Sequence, residues 1–177
     1  MEYTYHYASP LGGLTLESDG QALTGLWFEG QEYAGPPVEG NVDNVLPVFT
    51  ETVRWLDIYF SGKEPDFTPP LSMRTTPFRK EVWEIMLTIP YGQTMSYGEI
   101  ARRIAERRGI PRMAAQAVGG AVGHNAISII IPCHRVIGAD GDLTGYGGGL
   151  DKKIKLLELE KADISSMFLP KKSAALP

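Results

Sequence analysis

The sequence predicts an α/β protein, of the α+β kind, in which a small antiparallel β-sheet domain precedes a helical domain. Three observations support this. The first third carries short β-prone segments between turn residues, helical periodicity begins near residue 76, and 177 residues suffice for one large core or two small ones. We place the N-terminal domain at residues 1–73 and the C-terminal domain at residues 74–177, with a linker near 61–74.

The N-terminal domain is predicted to contain an antiparallel meander and one helix. Residues 3–7, 14–18 and 23–29 are the β-prone segments, and the Gly-Gly and Asp-Gly pairs between them are turn signals. A helix is expected near 50–60, where apolar residues recur at helical spacing. The proline-rich stretch that follows, SGKEPDFTPPLSMRTTP, predicts an extended linker.

The C-terminal domain is predicted to open with three helices. Thr76 is a candidate N-cap for the first, and the S-x-x-E pattern of Ser96 to Glu99 is a capping box for the second, which Gly109 ends. Pro111 is expected to begin the third. The second and third helices would form a helix-turn-helix, whose small side chains suit either a neighbouring helix or a DNA groove. Nearby arginines favour DNA.

The rest of the domain is predicted to consist of a strand, a glycine-rich loop and a closing helix. Four of the five residues at 127–131 are isoleucine, which is apolar and β-branched, and this run predicts a buried strand ending at Pro132-Cys133-His134-Arg135. The closing helix is expected over 151–161, with Glu160 in its last turn.

Composition excludes several classes of protein. One cysteine cannot form an internal disulfide or a multi-cysteine zinc site, and with only three histidines we expect no metal site. No apolar run reaches the roughly 18 residues that cross a bilayer, so we expect no membrane association. The first ten residues lack the pattern of a signal peptide, which leads us to expect a cytoplasmic location.

Charge is distributed unevenly along the chain. The net charge is −4, but residues 1–73 hold 2 basic and 11 acidic side chains, whereas residues 74–177 hold 15 basic and 10 acidic ones. Such an asymmetry suggests that the second half meets a polyanion, although two unequal solvated surfaces would explain it equally well.

Cys133 is the candidate nucleophile. A lone cysteine is usually a small buried hydrophobic residue, but this one follows a proline and precedes His134, and a glycine-rich loop, residues 145–149, follows it. A cysteine nucleophile must ionise, so it needs a neighbouring base or a positive field. His134 can serve as that base directly or through one water, provided that the backbone turns at Pro132. Glu160 is a candidate partner for the imidazole, although its residue type alone favours a solvated helix charge.

These motifs resemble a known family. The sequence I-P-C-H-R-V at residues 131–136 is similar to the active-site signature of the O6-alkylguanine-DNA alkyltransferases. A-V-G-G-A-V-G-H-N at 117–125, G-Y-G-G-G-L at 145–150 and K-x-x-L-L-x-L-E ending at Glu160 occur in the same order as in that family. The resemblance is strong over 76–161 and faint over 1–73. It implies a ribonuclease H-like N-terminal domain and a winged-helix-like alkyltransferase domain.

The resemblance implies a DNA repair protein and assigns roles to its residues. Cys133 would accept the alkyl group of O6-alkylguanine irreversibly, in a single turnover without a cofactor. Glu160 would orient His134, which would deprotonate Cys133 through a water. Tyr97 would donate a proton or hydrogen bond to guanine N3, and Asn125 would brace the turn beside the cysteine. Without the family, Tyr97 is better explained as a surface helix residue and Asn125 as a helix stop.

Further contacts with substrate are implied by the same resemblance. The guanine would be bound by main-chain groups of Cys133, Val136 and Gly147, with Tyr97 and Tyr146 in the same pocket. The protein would bind double-stranded DNA as a monomer, in the minor groove, and would flip the damaged base out of the stack. The implied DNA-binding residues are Ala115, Gln116, Ala117, Gly119, Gly120, Arg102, Arg103, Arg112 and Arg135.

Two positions depart from the family pattern. Gln116 stands where many relatives have the arginine that fills the space left by the flipped base, so this chain brings no charge there. Ala126 stands where relatives often have proline after the asparagine.

Three other functions compete with this one. A non-catalytic damage sensor of the same fold usually lacks the cysteine, which is present here. A cofactor-dependent methyltransferase would need a parallel sheet after its glycine loop, and only 28 residues follow Gly149. A cysteine hydrolase would turn over many equivalents of substrate.

Overall fold

The computed structural model describes residues 2–30, 46–138, 141–143, 146 and 149–165. The chain divides into two compact units. One comprises Met1–Arg74 with Ala126–Ile130, and the other comprises Thr75–Asn125 with Ile131–Pro177. Within the described residues, no helix combines the length and the apolar character needed to cross a membrane.

The first unit contains the predicted antiparallel meander. Strands β1 (Tyr3–Ser9), β2 (Gly12–Ser18) and β3 (Leu23–Phe28) pair in the order β1-β2-β3. Alternate residues of β2 are buried, because successive side chains of a strand point to opposite faces. The register pairs Leu16 of β2 with Leu26 of β3, and both are fully buried.

Helix α1 (Pro47–Phe60) belongs to the first unit and contacts all three strands. It begins three residues before the predicted position, with a proline in its first turn. One face, which includes Phe49, Leu56 and Tyr59, is buried. Each such side chain contributes about 1.5–3 kcal/mol of transfer free energy, so this face fixes the helix on the unit.

The predicted strand over 127–131 is wrong. Only Ile127 forms a β-bridge, to Leu26 of β3. In that bridge, Leu26 N–H donates to Ala126 O at 2.9 Å and Ser128 N–H donates to Leu26 O at 2.8 Å. The chain then turns, because Ile130 N–H donates to Ser128 O at 2.8 Å and Ile129 has a φ of 71°. This three-residue γ-turn ends the pairing after a single bridge.

The second unit begins with the predicted helices. Helix α2 (Pro77–Met86) is capped by Thr76, whose hydroxyl accepts from Arg79 N–H at 3.2 Å. Two-residue strand β4 (Met95–Ser96) leads into helix α3 (Tyr97–Arg108), where Ser96 accepts from Glu99 N–H at 3.0 Å. Gly109 ends α3 in the left-handed conformation, as its position predicts.

Helix α4 (Ala115–Gly123) completes the helix-turn-helix, but it begins four residues after the predicted start at Pro111. Its N-cap, Ala114, makes no side-chain cap. The inner face, Val118, Ala121 and Val122, is buried, and Trp83 of α2 donates its indole N–H to the Ala121 carbonyl at 2.9 Å.

The remaining elements hold the residues singled out by the sequence. Cys133–Arg135 forms a 3-10 turn, and Val136–Ile137 is a short strand, β5, parallel to β4. The sequence did not predict this pairing. Helix α5 (Leu150–Leu159) closes the unit, with Glu160 at its C-cap.

Candidate active site

The backbone at Pro132 and Cys133 turns sharply. Pro132 has φ −83° and ψ 71°, and Cys133 N–H donates to Ile131 O at 2.8 Å, which together define an inverse γ-turn. The 3-10 turn follows at once. Successive side chains of a 3-10 turn diverge by about 120°, not by the half-turn of a strand. The turn expected at Pro132 therefore removes the opposition between the Cys133 and His134 side chains.

Asn125 holds this turn from the end of α4. Its side-chain N–H donates to Ile131 O at 2.7 Å, the same carbonyl that accepts from Cys133 N–H. A hydrogen bond involving the Asn125 side chain also lowers the pKa of the Cys133 thiol. Asn125 thus lies where it both shapes the turn and favours the thiolate.

Glu160 receives hydrogen bonds from three residues. Its Oε2 accepts from His134 Nε2 at 2.6 Å and from Arg135 Nη2 at 3.0 Å. Its Oε1 accepts from Arg135 Nε at 2.9 Å and from Gly92 N–H at 3.0 Å. The carboxylate is buried, so both of its oxygens are committed to protein donors.

These contacts set the protonation of the cluster. Burial alone would raise the pKa of Glu160, but its bonds to His134 and Arg135 hold that pKa well below its usual range. Burial lowers the pKa of His134, against the attraction of Glu160. The pair is therefore a carboxylate and a neutral imidazole. Because Nε2 must donate to the carboxylate, Nδ1 carries the lone pair that can accept a proton.

Cys133 is almost fully buried, with 6% of its surface exposed. Burial raises the pKa of its thiol, and the Asn125 hydrogen bond and the charge of Lys153 oppose that effect. A neutral base, an ionised partner for that base and a thiol thus belong to one short segment and the end of one helix.

Tyr97 is the first residue of α3 and its side chain is partly buried. Its pKa is raised to about 12, first by burial and then by the charges of Cys133 and Asp142. The phenol therefore stays protonated at neutral pH and is a hydrogen-bond donor. The Tyr97 ring lies 4.0 Å from the place that a Cβ at Gly119 of α4 would occupy.

The residues expected to bind guanine are only partly described. The Val136 carbonyl accepts from Lys153 Nζ at 2.7 Å, and Tyr146 is buried with 9% exposure. Gly147 lies outside the described residues.

The exposed face of α4 carries the predicted DNA-binding positions. Ala115, Gln116, Ala117 and Gly120 are exposed, and Gly119 is half-buried. This helix thus presents mostly small side chains to solvent.

Arginines flank that face, but they are not equally available. Arg102 pairs with Glu99 and Glu106 at 2.6 and 2.5 Å, and Arg103 pairs with Glu99 at 3.0 Å. Arg112 is exposed and forms no ion pair with the described residues. Arg102 and Arg112 both line an open groove of about 480 Å³ between α3 and the start of α4.

The structure does not support the prediction that Arg135 contacts DNA. Its guanidinium donates to both oxygens of Glu160 and to Ile89 O at 2.8 Å, and the residue is only 9% exposed. All of these partners belong to the second unit, so the charge of Arg135 neutralises that of Glu160.

The sequence did not predict the contribution of three residues to the site: Gly92 and Arg135, which donate to Glu160, and Lys153, which donates to Val136 O. A signal for Lys153 was present, because residues 153, 156, 157 and 160 fall at i, i+3, i+4 and i+7 on one helix face, and all four are buried. Two charges within an apolar stripe indicate buried partners. Gly92 gave no comparable signal.

No cluster of three or more histidine, cysteine, aspartate or glutamate side chains suited to a metal ion occurs among the residues that the structure describes.

Two family models match the chain. Residues 1–73 match the ribonuclease-like domain of 6-O-methylguanine DNA methyltransferase, and residues 77–162 match the DNA binding domain of 6-O-methylguanine DNA methyltransferase. Together they cover most of the sequence.

Relatives and solved structures agree with the models. A methylated-DNA–protein-cysteine methyltransferase of Mycobacterium tuberculosis is 50% identical over 154 residues, which is 87% of this chain and 89% of the relative. One from Haemophilus influenzae is 46% identical over 90% of this chain and 86% of the relative. The crystal structure of Mycobacterium tuberculosis OGT in complex with DNA matches with a TM-score of 0.77 and 47% identity, over 92% of this chain and 95% of that one.

Proposed function

The chain belongs to the 6-O-methylguanine DNA methyltransferase family, and on that premise we propose that it repairs DNA by moving the alkyl group of O6-alkylguanine onto Cys133. The observation that carries the assignment to this residue is the Cys133 turn, which is followed directly by a neutral imidazole bonded to a buried carboxylate. The relatives' shared name and the DNA complex of one of them support the reaction and the partner.

The first step is removal of the thiol proton. His134 Nδ1 accepts it through a water, while Nε2 keeps its proton and its bond to Glu160. The imidazolium that forms is stabilised by the carboxylate, which Arg135 and Gly92 hold in place. Glu160 therefore orients the base and does not itself take the proton.

The second step is in-line attack of the thiolate on the alkyl carbon. The sulfur–carbon bond forms as the carbon–O6 bond breaks, and the electron pair of that bond goes to the guanine. Tyr97, protonated at neutral pH, donates to guanine N3 as that charge develops. The thioether product cannot return a thiolate, so each molecule acts once.

Guanine binding uses the backbone after the nucleophile. The carbonyls of Cys133 and Val136 accept from the exocyclic amine of the base, Gly147 N–H donates to O6, and Tyr146 lines the pocket. The Val136 carbonyl has two lone pairs, so its bond to Lys153 leaves one for the base.

The base must leave the helix to reach a buried thiol. The exposed face of α4 enters the minor groove, where Ala115, Ala117, Gly119 and Gly120 allow close approach and Gln116 takes the space of the flipped base. Arg112 is the arginine best placed to attract phosphate, because Arg102 and Arg103 are already paired with acids of α3. We further propose that the protein acts as a monomer. Residues 1–73 and 74–177 form its two domains. Its cytoplasmic location stays a prediction.

Mass spectrometry of the intact protein tests the function. After incubation with duplex DNA carrying O6-methylguanine, the mass should increase by one methylene, located on the peptide that contains Cys133. Cys133→Ala should bind the same duplex without a mass change. Binding by the wild-type protein without any modification would instead identify a damage sensor, and repeated turnover of esters would identify a hydrolase.

A further inference from the structure

Lys153 is a buried charge that the proposed chemistry does not use. The residue is completely buried on α5, on the same helix face as the buried Leu156 and Leu157. Its Nζ donates to the Val136 carbonyl at 2.7 Å, three residues after the nucleophile. Burial of an ammonium is unfavourable, and a methionine of similar length would fill the same space without the loss of hydration.

The site needs a positive charge near the sulfur. Burial disfavours the Cys133 thiolate, and a neutral His134 brings no charge before it accepts the proton. Arg135 does not supply the charge either, because its guanidinium is bound by both oxygens of Glu160 and largely neutralised there. The His134, Glu160 and Arg135 cluster can accept a proton, but it starts with no net positive charge.

Lys153 meets this need. Its charge favours the Cys133 thiolate, and the thiolate in turn favours the protonated amine. Among the described residues, the Asp142 carboxylate favours the ammonium, and Lys153 opposes the protonation of His134. The charge of Cys133 also raises the pKa of the Tyr97 phenol, which stays protonated. Burial lowers the pKa of Lys153 to about 8, so the ammonium form still prevails at neutral pH.

We propose that Lys153 is a positioning residue that sets the reactivity of Cys133, with its ammonium fixed on the Val136 carbonyl so that the thiolate forms in its field. The inference rests on the proposed function for its consequence in DNA repair. The charge also opposes protonation of His134, so it keeps the base neutral until the thiol proton arrives.

The single cysteine makes a direct test possible, because thiolate absorbance and iodoacetamide alkylation both report on Cys133 alone. Lys153→Met removes the charge and the donor. Lys153→Gln removes the charge but keeps an N–H donor, one bond nearer the backbone, for the Val136 carbonyl. Lys155→Gln is the matched control, because Lys155 is exposed on the same helix.

In both Lys153 variants, the midpoint of the thiol titration should rise by about one pH unit, and alkyl transfer at neutral pH should slow about tenfold. Transfer should recover above the new midpoint, and the control should match the wild type. An unchanged midpoint in Lys153→Gln would overturn the proposal, as would a loss of rate that is equal at every pH.

A reciprocal measurement applies even where the Lys153 variants do not fold. The Lys153 ε-methylene NMR signal, followed against pH, should report loss of the proton at lower pH in Cys133→Ala than in the wild type. Equal midpoints would overturn the proposal. A wild-type protein that failed to modify itself on alkylated DNA would refute the proposed function, while the thiol and lysine titrations would still decide the link between the two groups.

Discussion

Replacement of Glu160 by glutamine changes one atom and should disrupt the whole cluster. Every described partner of the carboxylate is a donor: His134 and Arg135 Nη2 at Oε2, and Arg135 Nε and Gly92 N–H at Oε1. An amide has one oxygen, so in either orientation its NH2 group faces two of these donors. The buried guanidinium of Arg135 also loses its countercharge.

The expected loss of stability follows from the burial of the Glu160–Arg135 ion pair. Loss of one partner from a buried ion pair costs about 3–5 kcal/mol, a large part of the roughly 5–15 kcal/mol that stabilises a typical domain. The change also acts on the base. If His134 changes to the tautomer protonated at Nδ1, so that Nε2 accepts from the new amide, Nδ1 can no longer accept the thiol proton. Loss of a general base slows a reaction by about 100-fold or more.

The stability of Glu160→Gln is measured by urea unfolding, and its activity by single-turnover alkyl transfer. Glu158→Gln is the matched control, because Glu158 lies two residues earlier in the chain and is exposed, and the site does not use its carboxylate. A loss of stability below about 1 kcal/mol together with an unchanged transfer rate would refute the reasoning about Glu160.

Three further predictions follow from individual positions. Gln116→Arg should strengthen binding to duplex DNA and steepen its salt dependence by a slope of about 0.9, as for one added phosphate contact; identical salt titrations would argue against the role of Gln116. The free energy of unfolding should fall as the pH drops below 6.5, by at most about 1.4 kcal/mol per pH unit. The reason is that folding lowers the pKa of His134, so the unfolded chain takes up the proton first. Urea midpoints between pH 7.5 and pH 5.5 test this, and His134→Asn should make the stability less dependent on pH. Gly92→Ala should lower the free energy of unfolding by about 1–2 kcal/mol, because φ is 79° and the new Cβ would lie 3.1 Å from the Glu160 carbonyl oxygen. Gly98→Ala is the control, since its nearest neighbour would lie at 3.9 Å, and it should show no such loss in the same urea assay.

The elements that the sequence predicted well are those specified by local chemistry. The strands of the meander lie between turn residues, and the caps at Thr76 and Ser96 and the stop at Gly109 depend on interactions within about three residues. Such signals survive in any tertiary context, so the order of the helices in the second unit was predicted correctly and their starts were accurate to a few residues.

The segment at 127–131 shows why other elements could not be predicted. Its β-branched residues correctly indicated burial, and Ile127, Ile129 and Ile131 are each fully buried. A strand, however, needs a partner along its length, and here β3 offers one bridge before the γ-turn at Ile129. A positive φ on isoleucine costs about 1–2 kcal/mol, comparable to the gain from burial of the side chain, so tertiary packing and not propensity decides that conformation.

The charges of the site obey a similar rule. The family resemblance places Arg135 among the DNA contacts, yet its guanidinium is bound inside the second unit. Residue type gives the sign of a charge but not its depth. Depth becomes visible in the sequence only where the charge interrupts an apolar stripe, as Lys153 and Glu160 do around Leu156 and Leu157. A charged residue at such a position must find a partner within the protein. Here Glu160 binds His134 and Lys153 binds the Val136 carbonyl, both in the segment that begins with Cys133.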